Sequence, residues 1–170
     1  MGLSSLASVR AGAKEFLERS KARGLNVLIC NAGVMAIPTL TRTTDGFETQ
    51  FGTNHLAHFL LFNLLIDTLI KPSTPSFNSR VVMVSSFGHR GGLPRFADYS
   101  YEQHPDEYSP FGAYASSKGA NVYMANYIDW HFGPQGLHAT SLHPRRHLDA
   151  VAEIYRSRDA EEVAERAECG

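Results

Sequence analysis

Residues 25–33 read LNVLICNAG, an apolar run that ends in three small residues. A short continuous apolar run is typical of a strand buried on both faces of a parallel sheet. Arg80–Ser86 has the same character, and Gly136–His143 repeats it more weakly. The stretches between these segments are long enough for helical crossovers. The pattern predicts an α/β fold, a partial doubly wound parallel sheet of about three strands with helices on both faces.

Three helical segments are predicted around these strands. The first begins near residue 6, where Ser4 or Ser5 can cap it. Asp45 and the glutamate three residues later form a capping box, which predicts a helix over residues 45–71. The last helix is predicted over residues 114–131 and ends at a Gly-Pro pair.

The composition excludes several classes of protein. The 170 residues are 43% apolar and 19% charged, with a formal net charge of −1, which argues against disorder and against nucleic-acid or membrane-surface binding by bulk charge. Two cysteines cannot form a disulfide framework, and the chain does not open with a secretory signal. No apolar stretch is long enough to span a bilayer. A cytoplasmic location is therefore expected.

Charge is concentrated at one end of the chain. In residues 145–170, 12 of 26 positions are charged, and the only aromatic residue is Tyr155. This shift predicts two parts: a domain over residues 1–144 and a charged, helical tail over residues 145–170.

Polar residues follow the predicted strands at the edge where active sites form in open parallel sheets. Asn31–Gly33 follows the first strand, and Ser85 and Ser86 end the second. Tyr114 and Lys118 are four residues apart and so share one face of a helix. An ammonium group there would lower the pKa of the tyrosine, which could then act as a general acid or base. A nearby serine hydroxyl could hold a carbonyl or alcohol in place.

Taken in chain order, these motifs resemble the short-chain dehydrogenase/reductase family, above all its retinol-dehydrogenase-like and WW-domain-oxidoreductase-like members. The resemblance runs from about Leu3 to Pro144. It is carried by five stretches: LNVLICNAG at 25–33, TDGFE at 44–48, NHLAHFLL at 54–61, RVVMVSS at 80–86 and YASSK at 114–118.

The resemblance implies a Rossmann-like fold and reversible hydride transfer between NAD or NADP and an alcohol or carbonyl. It implies that Tyr114 is the catalytic acid/base, and that Lys118 lowers its pKa and binds the nicotinamide ribose. Ser86 would orient the reacting oxygen, and Asn54 would lie at a helix bend that positions a proton-relay water. The implied cofactor-binding residues are Asn31, Ala32, Gly33, Ser85, Tyr114, Lys118 and Pro144.

The partners that the resemblance implies are a small-molecule alcohol or carbonyl and a second copy of the chain. Related enzymes pair through helices that correspond to residues 45–71 and 114–131. Neither a nucleic acid nor a membrane span is expected.

The glycine-rich turn that holds the pyrophosphate in dinucleotide-binding domains has no counterpart in the sequence. Neither G-x-x-x-G-x-G nor G-x-G-x-x-G occurs, and Leu3 corresponds to a family position well beyond that turn. We therefore expect the first βα units to be missing, NAD or NADP binding to be weakened, and the strand at 25–31 to have an unpaired apolar edge. One hypothesis is a gene product truncated at its start and read into unrelated sequence after Pro144.

Several alternatives stay open at the level of sequence. An inactive reductase remnant that binds a protein partner is the main rival to an enzyme. Ser85 and Ser86 could simply end a strand and cap the next segment, and Asn54 could be an ordinary exposed helix residue. His55 and His58 lie three apart, but no carboxylate or cysteine completes a metal site, so none is expected. The aromatic residues of the loop could form a substrate lid or pack on each other: Phe87, Phe96, Tyr99, Tyr101, Tyr108 and Phe111.

Overall fold

The three predicted strands form one parallel sheet in a computed structural model that describes residues 1–20 and 24–144. Strand β1 spans Val27–Cys30, β2 spans Ser79–Val84 and β3 spans Leu137–Leu142. Their order is β1-β2-β3, so β1 is an edge strand of this sheet, as expected. The prediction of a partial α/β sheet is confirmed. The tail predicted over residues 145–170 lies outside the described residues.

Four α-helices flank the sheet in the described part of the chain. A π-helical segment, Gly52–Leu56, joins the second helix to the third without a break. The α-helices are α1 at Leu6–Ser20, α2 at Thr49–Phe51, α3 at Ala57–Ile70 and α4 at Pro110–Phe132.

Helix α4 begins four residues before the predicted start at Tyr114. The Ser109 side chain accepts a hydrogen bond from the Gly112 amide, and Pro110 occupies the first turn, where its missing N–H costs nothing. Tyr114 therefore lies in the second turn of a helix that is already established.

The capping box predicted at Asp45 is wrong. Its carboxylate accepts a hydrogen bond from the Leu6 amide at 2.8 Å and so holds the start of α1, 39 residues away in sequence. Glu48 caps α2 by itself, because its carboxylate accepts from the amides of Gln50 and Phe51 at 2.8 and 2.7 Å. Asp45 thus ties two elements together where the sequence indicated a local cap.

The core lies on one face of the sheet. Cys30, Val81 and Met83 point to that face and pack with residues of α1, α3 and α4 in a single apolar cluster. Val27 and Ile29, on the opposite face, are 43% and 60% exposed. No helix covers that face within residues 1–20 and 24–144. The expectations of helices on both faces and of a fully buried first strand are therefore wrong for this part of the chain.

Among the residues that the structure describes, no helix is long and apolar enough to cross a membrane.

Candidate active site

A cleft of about 580 Å³ opens at the carboxyl ends of the three strands. This is where ligands bind in open parallel sheets, and the volume lies within the range of about 300–1,000 Å³ for small-molecule sites. The structure brings all seven of the expected cofactor-binding residues to this cleft. The cleft is also lined by Val34, Met35 and Val84. The sequence gives no sign of a functional role for these three residues except that they lie next to the motifs. The full lining is Asn31, Ala32, Gly33, Val34, Met35, Val84, Ser85, Tyr114, Lys118 and Pro144.

Tyr114 and Ser86 meet at the cleft although 28 residues separate them in sequence. The Ser86 hydroxyl lies near the Tyr114 hydroxyl and lowers its pKa slightly, and only 6% of Tyr114 and 8% of Ser86 is exposed. Gly88 permits this contact, because a β-carbon at residue 88 would lie 3.2 Å from the Tyr114 ring and 3.5 Å from Ser86 Oγ. The arrangement gives a phenol and a serine hydroxyl that can contact the same small ligand.

Lys118 lies one helical turn beyond Tyr114 and is almost fully buried. Its ammonium donates a hydrogen bond to the Val84 carbonyl oxygen at 2.9 Å and lies 5.8 Å from the centroid of the Tyr114 ring. Burial lowers the pKa of Lys118 from 10.5 to about 8, because the charged form loses solvation. The group still carries its proton at neutral pH, so a positive charge stands beside the tyrosine.

The direction predicted for the Tyr114 pKa is wrong for this arrangement. Burial raises the pKa of the phenol, and the nearby Ser86 hydroxyl opposes that rise only in part. The spacing to Lys118 indicates an attraction for a phenolate, but the helix also removes the hydroxyl from water. Tyr114 is therefore a protonated phenol at neutral pH and can donate a proton.

Asn54 lies in the π-helical segment and is fully buried. Its side chain accepts from the Val34 amide at 2.8 Å and donates to the Val34 carbonyl and to Ser117 Oγ, both at 2.9 Å. This excludes the alternative of an ordinary exposed helix residue. The side chain holds the segment after β1 against helix α4.

The main-chain carbonyl of Asn54 is also occupied. It accepts hydrogen bonds from His58 Nδ1 at 2.9 Å and from Asn121 Nδ2 at 3.1 Å. A carbonyl oxygen has two lone pairs, so a relay water on this oxygen would compete with both groups. Asn121 did not stand out in the sequence, because a lone asparagine in a helix carries no signal of its own.

Gly33 brings the main chain close to these residues. A β-carbon at this position would lie 2.7 Å from Asn54 Oδ1 and 3.5 Å from Lys118 Nζ. A side chain would fill the space between the exposed turn at Asn31–Gly33 and the buried polar groups. The absence of a side chain at Gly33 therefore lets the main chain approach both groups closely.

The two serines after β2 have capping and tethering roles as well. Ser86 caps the short 3₁₀ helix Phe87–Gly91 by accepting from the Gly88 amide at 3.1 Å. The Ser85 hydroxyl donates to the Lys118 carbonyl at 2.7 Å. The alternative of a capping role therefore holds for Ser86, whereas Ser85 lines the cleft and tethers the end of β2 to α4.

Most of the loop aromatics pack on other rings and do not cover the cleft. Tyr99 stacks on Phe51 with ring centroids 5.1 Å apart, and Phe96 packs edge-on against Tyr123 at 5.9 Å. None of these six loop aromatics lines the cleft in the described structure. Tyr101 and Tyr108 contact each other at 5.3 Å. The geometry favours loop packing over a lid for these four.

His55 and His58 already have hydrogen-bond partners. His55 Nδ1 bonds to Asn121 Oδ1 at 3.1 Å, and His58 Nδ1 bonds to the Asn54 carbonyl. Within residues 1–20 and 24–144, no group of three His, Cys, Asp or Glu side chains could hold a metal ion.

No family model matches the chain, but individual proteins of known family are similar to it. The chain is 45% identical over 156 residues to short-chain dehydrogenase/reductase prx1 of Penicillium roqueforti, covering 88% of this chain and 44% of that protein. It is 43% identical over 144 residues to retinol dehydrogenase 12 of Mus musculus, covering 85% of this chain and 42% of that protein. The chain therefore spans less than half the length of these curated relatives.

Solved structures share the fold. An uncharacterised protein from Mycobacterium paratuberculosis is 38% identical with a TM-score of 0.67, over 85% of this chain and 48% of that one. NADPH-bound carbonyl reductase from chicken fatty liver is 24% identical with a TM-score of 0.61, over 85% of this chain and 55% of that one.

Proposed function

The chain belongs to the short-chain dehydrogenase/reductase family, and from that premise we propose that residues 1–144 carry the catalytic part of an NAD(P)-dependent oxidoreductase. The reaction interconverts an alcohol and a carbonyl on a small apolar substrate. The observation that supports this most is that Tyr114 and Lys118 line one cleft together, with the Ser86 hydroxyl near that of Tyr114. Val34 and Met35 give the same cleft an apolar side.

In this proposal each side chain has a separate task. Tyr114, protonated at neutral pH because burial raises its pKa, gives its proton to the carbonyl oxygen of the substrate. The Ser86 hydroxyl holds that oxygen beside the phenol. The Lys118 ammonium stabilises the phenolate that remains. The protonated phenol is the form of Tyr114 that carbonyl reduction requires.

The residues at the cleft fit the nicotinamide half of the cofactor. Asn31–Gly33 would border the ring and ribose, and Lys118 would hold the ribose hydroxyls. When bound, the reduced nicotinamide supplies the hydride. The sequence contains no glycine-rich turn that would donate main-chain amides to a pyrophosphate, so we propose that the 170-residue chain binds NAD or NADP weakly.

A titration of the ¹⁵N-labelled chain with NADPH and NADH tests the cofactor site. We expect amide shifts at Asn31–Gly33 and around Lys118 that saturate only at millimolar cofactor. The Gly33→Val variant should lose these shifts, because its side chain would meet Asn54 Oδ1. Phe77→Ala, in an exposed loop, is the matched control and should titrate like the parent.

Two results would count against this proposal. Tight binding of either dinucleotide would contradict the expected weakness. An absence of shifts at these residues, up to the solubility limit of the cofactor, would contradict the cofactor site itself and favour the second candidate.

The second candidate is a reductase remnant that binds a protein partner without catalysis. The exposed apolar sheet face, with Val27, Ile29 and Leu142, favours it. This candidate predicts that Tyr114 and Lys118 are dispensable for whatever the chain binds, whereas the enzyme requires both.

We also propose self-association through helices 45–71 and 114–131. Phe59 and Tyr123, on α3 and α4, are 46% and 53% exposed although both are large. Tyr123→Glu should weaken association about tenfold, because a carboxylate at an aromatic contact must lose its solvation. Sedimentation velocity measures this, with Phe77→Glu as the exposed control outside the two helices. An unchanged association constant in Tyr123→Glu would reject this surface.

A further inference from the structure

The buried amide of Asn121 joins the three elements that form the site. Its Nδ2 donates to the Asn54 carbonyl in the π-helical segment at 3.1 Å and to the Val84 carbonyl at the end of β2 at 3.3 Å. Its Oδ1 bonds to His55 Nδ1 at 3.1 Å. Asn121 is fully buried and lies on α4, one turn beyond Lys118. The Asn121 side chain therefore contacts both the π-helical segment that contains Asn54 and the carbonyl oxygen that accepts a hydrogen bond from Lys118.

The orientation of this amide follows from its partners. Two main-chain carbonyls can only accept hydrogen bonds, so the amide nitrogen of Asn121 must face them. Its oxygen then faces His55, and Nδ1 of His55 must carry the hydrogen that it donates. Burial lowers the pKa of His55, so the ring is neutral at pH 7 with its proton on Nδ1. His55 thereby locks the amide of Asn121 in one orientation.

The Val84 carbonyl is shared between two donors. Lys118 Nζ approaches it to 2.9 Å, and Asn121 Nδ2 approaches it to 3.3 Å. Because the oxygen has two lone pairs, the amide occupies one and leaves the other for the ammonium. A shared acceptor stabilises the charged form of lysine less than an acceptor that the lysine has to itself.

We propose that Asn121, held in place by His55, is a positioning residue that fixes the Lys118 ammonium at the Val84 carbonyl and limits how strongly that carbonyl stabilises its charge. The catalytic significance of this inference rests on the proposed function, because Lys118 is a catalytic residue only in that proposal. The geometry itself requires no cofactor.

The ionisation of Lys118 gives a direct test. The chain has only four lysines, Lys14, Lys21, Lys71 and Lys118, so ¹³C-lysine NMR of the whole chain gives few side-chain signals. The Lys118→Arg variant assigns the signal by its loss. Tyr114 and His58 are the ionisable groups that face this ammonium, and their titrations are followed in the same samples.

We expect Asn121→Leu to raise the pKa of Lys118 by about 0.5, a threefold change in its acid dissociation constant. Leucine has nearly the shape of asparagine but does not compete for the Val84 carbonyl, so the ammonium gains the whole acceptor. Asn126→Leu, the same change at an exposed position of α4, is the matched control and should leave the pKa unchanged. A Lys118 pKa in Asn121→Leu equal to that of the control would overturn the inference.

A pair of variants at His55 tests the same inference without changing Asn121. His55→Leu removes the donor that fixes the amide and should shift the pKa of Lys118 in the same direction. His55→Gln keeps a donor and should restore the parent value. If the Leu variants at both positions lose their folded spectra, or if Gln and Leu at 55 behave alike, Asn121 has only a packing role and the inference is rejected.

The test is independent of turnover. A chain that shows the expected pKa shifts but never reduces a carbonyl would contradict the proposed function and leave the positioning role intact. A chain that reduces a carbonyl, but whose Lys118 pKa is unchanged in Asn121→Leu, would support the proposed function and contradict the positioning role of Asn121.

Discussion

Tyr114→Phe is expected to lower kcat/KM for carbonyl reduction by the chain about a hundredfold or more. The substitution removes only the hydroxyl that would give its proton to the substrate oxygen. The ring stays in place, because the helix around it is buried and closely packed. NADPH oxidation, followed with the carbonyl compound that the parent chain reduces fastest, measures the loss.

The control for this prediction is Tyr127→Phe, on the same helix but 49% exposed, which should keep the parent rate. Matching circular dichroism spectra for the two variants would show that the loss is chemical. Turnover within a few-fold of the parent in Tyr114→Phe would reject Tyr114 as the proton donor. The parent rate is measured first, since a chain without turnover would contradict the proposed function as a whole.

Asn54→Leu is expected to lower the free energy of unfolding by about 3 kcal/mol. The leucine leaves the Val34 amide and carbonyl and the Ser117 hydroxyl without the partner that now bonds to all three. A polar group left unpaired in a buried site loses its hydration without replacement, and this cost exceeds the gain from an apolar side chain. Urea denaturation followed by circular dichroism gives the change.

Asn126→Leu again serves as the control and should change the unfolding free energy by less than about 0.5 kcal/mol, as for most surface substitutions. A loss smaller than about 1 kcal/mol in Asn54→Leu would mean that the network around Asn54 contributes little to the fold. The π-helical segment would then owe its place to apolar packing alone.

That the cleft residues lie close together could be predicted from the sequence, because a single rule of sheet topology implies it. Parallel strands end at the same edge of a sheet, so the residues that follow them, such as Asn31 and Ser85, must lie together. Tyr114 and Lys118 needed only the helical repeat in addition. Both patterns involve residues close together in the sequence, so they can be recognised from the sequence alone.

The features that could not be predicted depend on contacts between parts of the chain that are distant in sequence. Asp45 has a local cap motif, but its carboxylate bonds to Leu6, which no pattern at residue 45 could reveal. The pKa of Tyr114 depends on how much water its surroundings exclude, and the spacing to Lys118 contains no information on that. Asn121 matters only because β2, α4 and the π-helical segment meet around it.

The π-helical segment at Gly52–Leu56 amounts to one residue more than a regular helix would contain there. Deleting a single codon within it would restore an α-helix and rotate everything from Ala57 onward by about 100° relative to α2. Asn54 would then lose its hydrogen bonds to Val34 and Ser117, while the apolar residues of α3 would turn away from the core. The catalytic geometry and the burial of α3 are therefore coupled at this one position, so a frame-preserving deletion there would disrupt both at once.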